Sequence, residues 1–115
     1  MKMHIGGQWV DKCEKIEVLN PFSGSIIDTI PRANQQDVET ALKTAERGAE
    51  IMAKMTGYER YEIIHKVSEI MTERVEELAQ TITLEEGKIL AEATMEASRA
   101  AAIIVLSAEE AKRLS

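Results

Sequence analysis

The hydrophobic pattern of this chain changes its period near residue 33. Between residues 5 and 31, apolar and polar positions alternate in short runs, which is typical of half-buried strands. From residue 34 onward, apolar positions recur three, four and seven residues apart, which predicts helices with one apolar face. The pattern therefore predicts an α+β fold, mostly α, in which short antiparallel strands (residues 1–33) precede three or four helices (residues 34–115).

Three short strands are predicted in the first region. Ile5–Val10 and Lys15–Leu19 are expected to pair as a β-hairpin, because the polar segment Asp11–Glu14 between them suits a hairpin connection. Asn20–Ser25 contains a proline followed by a glycine, which predicts a chain reversal. Ile26–Ile30 is the third strand, and the proline after it ends the strand because it has no amide hydrogen.

Capping residues set the predicted helix boundaries. Asn34 is a favourable N-cap, and the first helix is predicted to run from there to about residue 55. Thr56 and Glu59 have the spacing of a capping box, which predicts the start of a second helix. The apolar stripe of that helix changes phase near Arg74, so we expect a bend or a short break there.

The last helix is predicted over residues 89–113, after a stop at Gly87, where a left-handed conformation costs glycine little. Its central stretch, Ala100–Leu106, is apolar on almost every side and needs burial on several faces. The strands and the other helices supply too little cover for it. We therefore expect the chain to be part of a larger layered body, whose missing layer lies beyond Ser115.

Charge and composition narrow the classes of partner. The net charge is -6 and the pI is near 5.0, which argues against nucleic acid and anionic membranes as partners. The single cysteine cannot form an internal disulfide, and no secretion leader or membrane-length apolar run is present in the sequence. A cytoplasmic location is the expectation that follows.

Few residues are candidates for chemistry. Cys13 is the obvious nucleophile, but it lies in a polar turn beside Asp11 and Glu14, whose negative charges oppose a thiolate. We interpret it as incidental. His4, in a terminus expected to be flexible, and His65 have no second histidine or cysteine at ligand spacing. Both are interpreted as surface residues, and no metal site is expected.

The acidic stretch in the helices is interpreted as a solvated face. Within it, Glu92 and Glu96 are four residues apart, and their repulsion is expected to be relieved by solvent or by Lys88 or Arg99. The glutamates of the acidic stretch are Glu73, Glu76, Glu77, Glu85, Glu86, Glu92 and Glu96.

The glycines are isolated or paired and do not form a phosphate-binding loop.

Six short segments match known sequence motifs in order: Gly7–Asp11, Asn20–Gly24, Ile30–Ala33, Glu59–Lys66, Glu85–Lys88 and Ala93–Glu96. On these segments the chain is similar to the N-terminal part of the aldehyde dehydrogenase superfamily. The resemblance covers nearly all of the chain. Departures from the family pattern are Ala49 and Met52 where it usually has Phe and Trp, and Gly57 and Ile89 where it usually has proline.

The resemblance implies a parent enzyme with an α/β fold and a Rossmann-like cofactor domain, which oxidises an aldehyde to a carboxylic acid with NAD or NADP. In that family a cysteine thiolate attacks the carbonyl, hydride passes to the nicotinamide and a glutamate activates water. Those residues, the oxyanion-stabilising asparagine and the glycine loop all lie C-terminal to this segment in the family. Cys13 matches none of them. The resemblance thus implies no catalytic, cofactor-binding or metal residue here, and an inactive segment that needs no cofactor itself.

Two functional hypotheses remain open from the sequence. In the first, the chain is the N-terminal segment of an aldehyde dehydrogenase: residues 1–33 are its strand region, and residues 34–115 are the incomplete helical part of the cofactor-binding domain. Its partners would be the remainder of the parent enzyme and further copies in a homo-oligomer. In the second, the chain is a free-standing helical oligomerisation or partner-binding module that uses the apolar face around Ala100–Leu106.

Overall fold

The computed structural model describes residues 1–114. They form two compact units, the first of which is Met1–Lys54 and the second of which begins at Met55. The predicted fold class is confirmed, since four helices follow two antiparallel strand pairs. The first unit contains β1 (Met3–Ile5), β2 (Gln8–Val10), β3 (Lys15–Leu19), β4 (Ile26–Pro31) and α1 (Gln35–Lys54), and the second contains α2 (Gly57–Glu73), α3 (Val75–Glu86) and α4 (Leu90–Ala111).

The first hairpin differs from the prediction. β1 pairs antiparallel with β2, and Met3 lies opposite Val10. Gly6 and Gly7, at the turn between them, have φ values of +57° and +81°, the two consecutive positive values that a tight two-residue hairpin turn needs. The prediction of one strand over Ile5–Val10, paired with Lys15–Leu19, was therefore wrong. The glycine pair folds this stretch back on itself before it can reach β3.

β3 pairs instead with β4, in an antiparallel register that joins Lys15 to Pro31. The predicted reversal between these strands is confirmed. The Asn20 side-chain oxygen accepts hydrogen bonds from the backbone N–H groups of Phe22 and Ser23, at 2.9 and 3.1 Å. Gly24 completes the turn with φ +69°, and β4 ends at the proline, as predicted.

The start of α1 is capped reciprocally. The Asn34 side chain accepts from the Asp37 backbone N–H at 3.0 Å, and the Asp37 carboxylate accepts from the Asn34 backbone N–H at 2.9 Å. That second bond, followed by a bond from Lys12, lowers the pKa of Asp37 from its ordinary value. No residue of α1 is buried, so its apolar face lies open.

The predicted boundaries in the second unit are confirmed. Thr56 caps α2 in a capping box with Glu59, and Arg74 separates α2 from α3. Gly87 ends α3 in the left-handed conformation, at φ +74°.

The buried apolar residues of the second unit are all alanines. α4 packs against both α2 and α3, and no large side chain is fully buried among the described residues. Methyl groups let the helix backbones approach closely, but each buries little apolar area. The buried apolar residues are Ala79, Ala93, Ala97, Ala101, Ala108 and Ala111.

Candidate functional site

The candidate chemical residues lie apart from one another. Cys13 is an exposed free thiol in the connection between β2 and β3. His4 lies in β1, where its ring packs edge-on against Trp9 at 5.1 Å, so its expected place in a flexible terminus was wrong because the hairpin orders it. His65 lies in α2, with its ring 5.2 Å from that of Tyr61. Nothing in this arrangement pairs a nucleophile with a base.

The acidic stretch is neutralised partly by Lys88. Its ammonium group bonds to the Glu96 carboxylate and lies 3.4 Å from that of Glu86. The bond to Glu96 is the main reason that the pKa of Lys88 is raised. Lys88 thus relieves the repulsion between Glu92 and Glu96, as predicted. Within residues 1–114, no three acidic, histidine or cysteine side chains come together as a metal site would require.

An apolar groove lies between α2 and α4 in the second unit. Its walls include Ile64 of α2 and Ile103 and Leu106 of α4. Ile103 is 54% exposed and Leu106 is 66% exposed. The expectation that the visible chain leaves the Ala100–Leu106 stretch uncovered is therefore confirmed for Ile103 and Leu106. We call this feature the α2–α4 groove; its lining residues used below are Arg60, Ile64, Ile103, Leu106, Ser107 and Leu114.

A stripe on α2 extends the apolar surface beyond the groove. Ile63, Val67 and Ile70 follow one another at helical spacings of four and three residues and are 41–51% exposed. Ile63 precedes the groove residue Ile64, about 100° around the helix. The stripe therefore borders the groove and widens the apolar surface.

Arg60 and Leu114 line the groove and are bonded to each other. The guanidinium group of Arg60 donates one hydrogen bond to the Met55 carbonyl oxygen at 2.5 Å, and another to the carbonyl oxygen of Leu114. Arg60 thereby joins the segment before α2 to the segment after α4. Sequence reasoning missed this role, because the two ends of the second bond are 54 residues apart and no local pattern links them.

A cation–π contact between Lys112 and Tyr61 is a second link between the end of α4 and α2. The Lys112 ammonium group lies 3.7 Å from the centre of the Tyr61 ring, a favourable cation–π geometry. Lys112 also pairs with Glu109 at 2.7 Å, and that bond is the first cause of its raised pKa. The two helices are therefore fixed together at the same end as the Arg60 contacts.

Chemically, this surface suits packing against another apolar surface. Ile64, Ile103 and Leu106 present aliphatic side chains, and the polar groups nearby, such as Arg60 and Glu110, already bond to neighbours. Burying an exposed Leu or Ile side chain stabilises a complex by about 1.5–3 kcal/mol before the costs of association. The α2–α4 groove is thus the candidate functional site. No helix among residues 1–114 has the length and apolarity to cross a bilayer.

Comparisons with a family model and with known proteins point to the same family. The model of the aldehyde dehydrogenase family matches residues 9–115. A 3-sulfolactaldehyde dehydrogenase of Priestia megaterium is 35% identical over 112 residues, which are 97% of this chain and 23% of that protein.

Two solved structures have the same fold over this stretch. An Escherichia coli NADP-dependent enzyme superposes with a TM-score of 0.90 at 36% identity, covering 96% of this chain and 24% of its own. An NAD-dependent aldehyde dehydrogenase from Sinorhizobium meliloti superposes with a TM-score of 0.92 at 31% identity, covering 97% of this chain and 23% of its own. The chain spans about a quarter of the length of these proteins.

Proposed function

The chain belongs to the aldehyde dehydrogenase family and corresponds to the N-terminal segment of its members, and we propose that the whole protein oxidises an aldehyde to a carboxylic acid with NAD or NADP. In this proposal the segment contributes no reacting group. Its role is to pack against the remainder of the enzyme and hold it in place.

The observation that carries the proposal is the open α2–α4 groove. Ile103 and Leu106 are more than half exposed in the helix that occupies the middle of the second unit. A soluble protein gains by covering such a surface, and the relatives have about three quarters of their length outside the matching stretch. That remaining polypeptide is the proposed occupant of the groove.

We propose that this segment does not hold the nicotinamide cofactor. The glycine pair, Gly6 and Gly7, makes a hairpin turn, and a Cβ built on Gly6 would lie 2.8 Å from the Thr44 methyl group. The turn is therefore packed on α1 and offers no cradle for a pyrophosphate. The cofactor site is proposed to lie in the remainder of the enzyme, and no step of the reaction is assigned to this chain.

Domain, assembly and location belong to the same proposal. Residues 34–115 are proposed as the incomplete helical part of the cofactor-binding domain, with residues 1–33 as its N-terminal strand region. The complete enzyme is proposed to be a cytoplasmic homo-oligomer. The acidic charge balance supports a partner that is neither nucleic acid nor an anionic membrane.

The proposal is tested by a chimera. This chain is joined in frame to the part of the Sinorhizobium meliloti enzyme that follows its own matching segment, and reduction of NAD is followed with a panel of aldehydes. We expect turnover from the chimera and none from the isolated chain. Cys13→Ser in the chimera should leave the rate unchanged, because Cys13 is not proposed to be the nucleophile.

Two results would contradict the proposal. One is NAD(P) reduction by the isolated chain, which would mean that a reactive site lies within it. The other is a soluble, folded chimera without turnover beside an active parental enzyme, which would mean that this segment does not brace a dehydrogenase. A concentration-independent monomer with a sharp unfolding transition would instead favour a free-standing module.

A further inference from the structure

The contacts of Arg60 join two helix ends that are far apart in the sequence. Its guanidinium group donates to the carbonyl oxygen of Met55, just before the α2 cap, and to that of Leu114, just after α4. Arg60 is half-buried between them. The guanidinium group is therefore held by two carbonyl groups rather than free in solvent.

The geometry of two carbonyl groups explains why an arginine suits this place. The carbonyl groups of Met55 and Leu114 both lie outside the helices, and each accepts a hydrogen bond from Arg60. Arginine offers several donors in a planar fork and stays charged at neutral pH, so it can satisfy two carbonyl groups at once. Lysine presents a single ammonium group on a flexible chain and cannot reproduce that planar bridge.

The held segment is also part of the α2–α4 groove. Leu114 and Arg60 both line the groove, next to Ile64 and Leu106. After α4, the backbone N–H groups of Arg113 and Leu114 bond back to the Glu110 carbonyl at 2.9 and 3.3 Å. These bonds form the turn after α4, and the bond from Arg60 to the Leu114 carbonyl oxygen is a further contact of that turn.

We propose that Arg60 is a positioning residue: it fixes Leu114 as the end wall of the α2–α4 groove and so presents a preformed docking surface to the remainder of the enzyme. The docking of the groove on the remainder of the enzyme rests on the proposed function, whereas the positioning of Leu114 by Arg60 does not. Glu59, beside it, takes part in the capping box at the start of α2. Arg60 instead bonds to the segment that follows α4.

Hydrogen exchange on the millisecond timescale tests the first half. In Arg60→Met, the amides of Arg113 and Leu114 should exchange about 10-fold faster, since the variant removes a charge-assisted hydrogen bond from this turn. The amide of Ala101, in the middle of α4, should keep its rate. Arg60→Lys should give an intermediate rate. Unchanged exchange at residues 113 and 114, or an equal acceleration along the whole of α4, would overturn the proposal.

Docking in trans tests the second half. The probe is the Sinorhizobium meliloti enzyme lacking its matching N-terminal segment, titrated with this chain. We expect Arg60→Met to weaken binding by about 10-fold, comparable to one charge-assisted hydrogen bond. Arg74→Met is the matched control, because Arg74 precedes α3, pairs with Glu77 at 2.6 and 2.8 Å and does not line the groove. It should bind as the unaltered chain does.

The binding and hydrogen-exchange measurements distinguish the proposed function from the positioning role of Arg60. If the unaltered chain does not bind the probe, the proposed function fails, while the exchange rates at residues 113 and 114 still decide whether Arg60 fixes Leu114. If the chain binds and Arg60→Met binds equally well, the groove needs no preformed end wall, and the positioning role of Arg60 is overturned.

Discussion

Gly57 lies directly against the backbone of Ala111. A Cβ built on Gly57 would be 2.7 Å from the Ala111 carbonyl oxygen and 3.1 Å from that of Lys112. Both neighbours are backbone atoms, which cannot turn aside as a flexible side chain can. The first turn of α2 and the last turn of α4 are therefore as close as a residue without a side chain allows.

Gly57→Ala should therefore destabilise the second unit. Forcing a methyl group into this contact must shift a helix, and overpacking of this kind costs about 1–3 kcal/mol. Urea unfolding followed by circular dichroism measures the loss. Gly48→Ala is the control, because a Cβ there meets nothing within 4 Å and alanine favours a helix by up to about 1 kcal/mol over glycine. Equal midpoints for Gly57→Ala and the unaltered chain would refute the close contact.

Ala97→Leu should destabilise the second unit as well. Ala97 is 2% exposed, in the face of α4 that packs on its neighbours, and there is no room for three further carbon atoms. We expect a loss of about 1–3 kcal/mol in the free energy of unfolding. Ala102→Leu, at an exposed position of the same helix, should change stability little. The prediction fails if the two variants unfold alike.

Replacing the large exposed residues of the α2–α4 groove should change stability little but reduce self-association. Ile103→Ser together with Leu106→Ser removes apolar groups that are already in water, so stability should change by only about 0.5 kcal/mol per site. Concentration-dependent self-association, measured by light scattering, should fall because the apolar groove is lost. If the double variant unfolds much more easily than the unaltered chain, these residues are part of the core after all.

The capping box should make stability depend on pH. The pKa of Glu59 is lowered, first by the hydrogen bond from the Thr56 backbone N–H and then by that from its hydroxyl group. A lowered pKa in the folded state means that the stabilisation is complete above the ordinary value of 4.5 and is lost as the pH falls below it. The stability difference between the unaltered chain and Glu59→Gln should therefore shrink on acidification. A difference that stays constant from neutral pH to below 4.5 would contradict this.

The helix boundaries were predictable because their signals are local. Thr56 and Glu59 are three residues apart, Gly87 acts through its own φ, and Arg74 marks a change of phase within one stripe. Each feature is decided by neighbours along the chain, so reasoning from sequence reached the right boundary.

The first hairpin was missed although its signal is equally local. Gly6 and Gly7 interrupt a run of alternating residues, and the alternation on either side was treated as one strand from Ile5 to Val10. Two adjacent glycines are a sequence typical of a two-residue hairpin turn, and giving that signal precedence over the alternation would have found β1 and β2.

The candidate site was predictable only in part. The apolar stretch Ala100–Leu106 indicated an uncovered helix, but its Ala101 is buried whereas Ile103 and Leu106 are open. Which face of α4 meets α2 and α3 depends on contacts across the unit. The same is true of Arg60 and Leu114, whose contact arises only once α2 and α4 lie side by side.

An interface made of methyl groups specifies only poorly how α4 is aligned along its neighbouring helices. Ala93, Ala97 and Ala101 recur every four residues, so sliding α4 by one turn along its neighbours would again set alanine against them. Alanine has no rotamers whose fit could reject the shifted arrangement. The Gly57–Ala111 contact and the Arg60 bridge, both at one end of the helix pair, supply the asymmetry that distinguishes the native alignment from a one-turn slip.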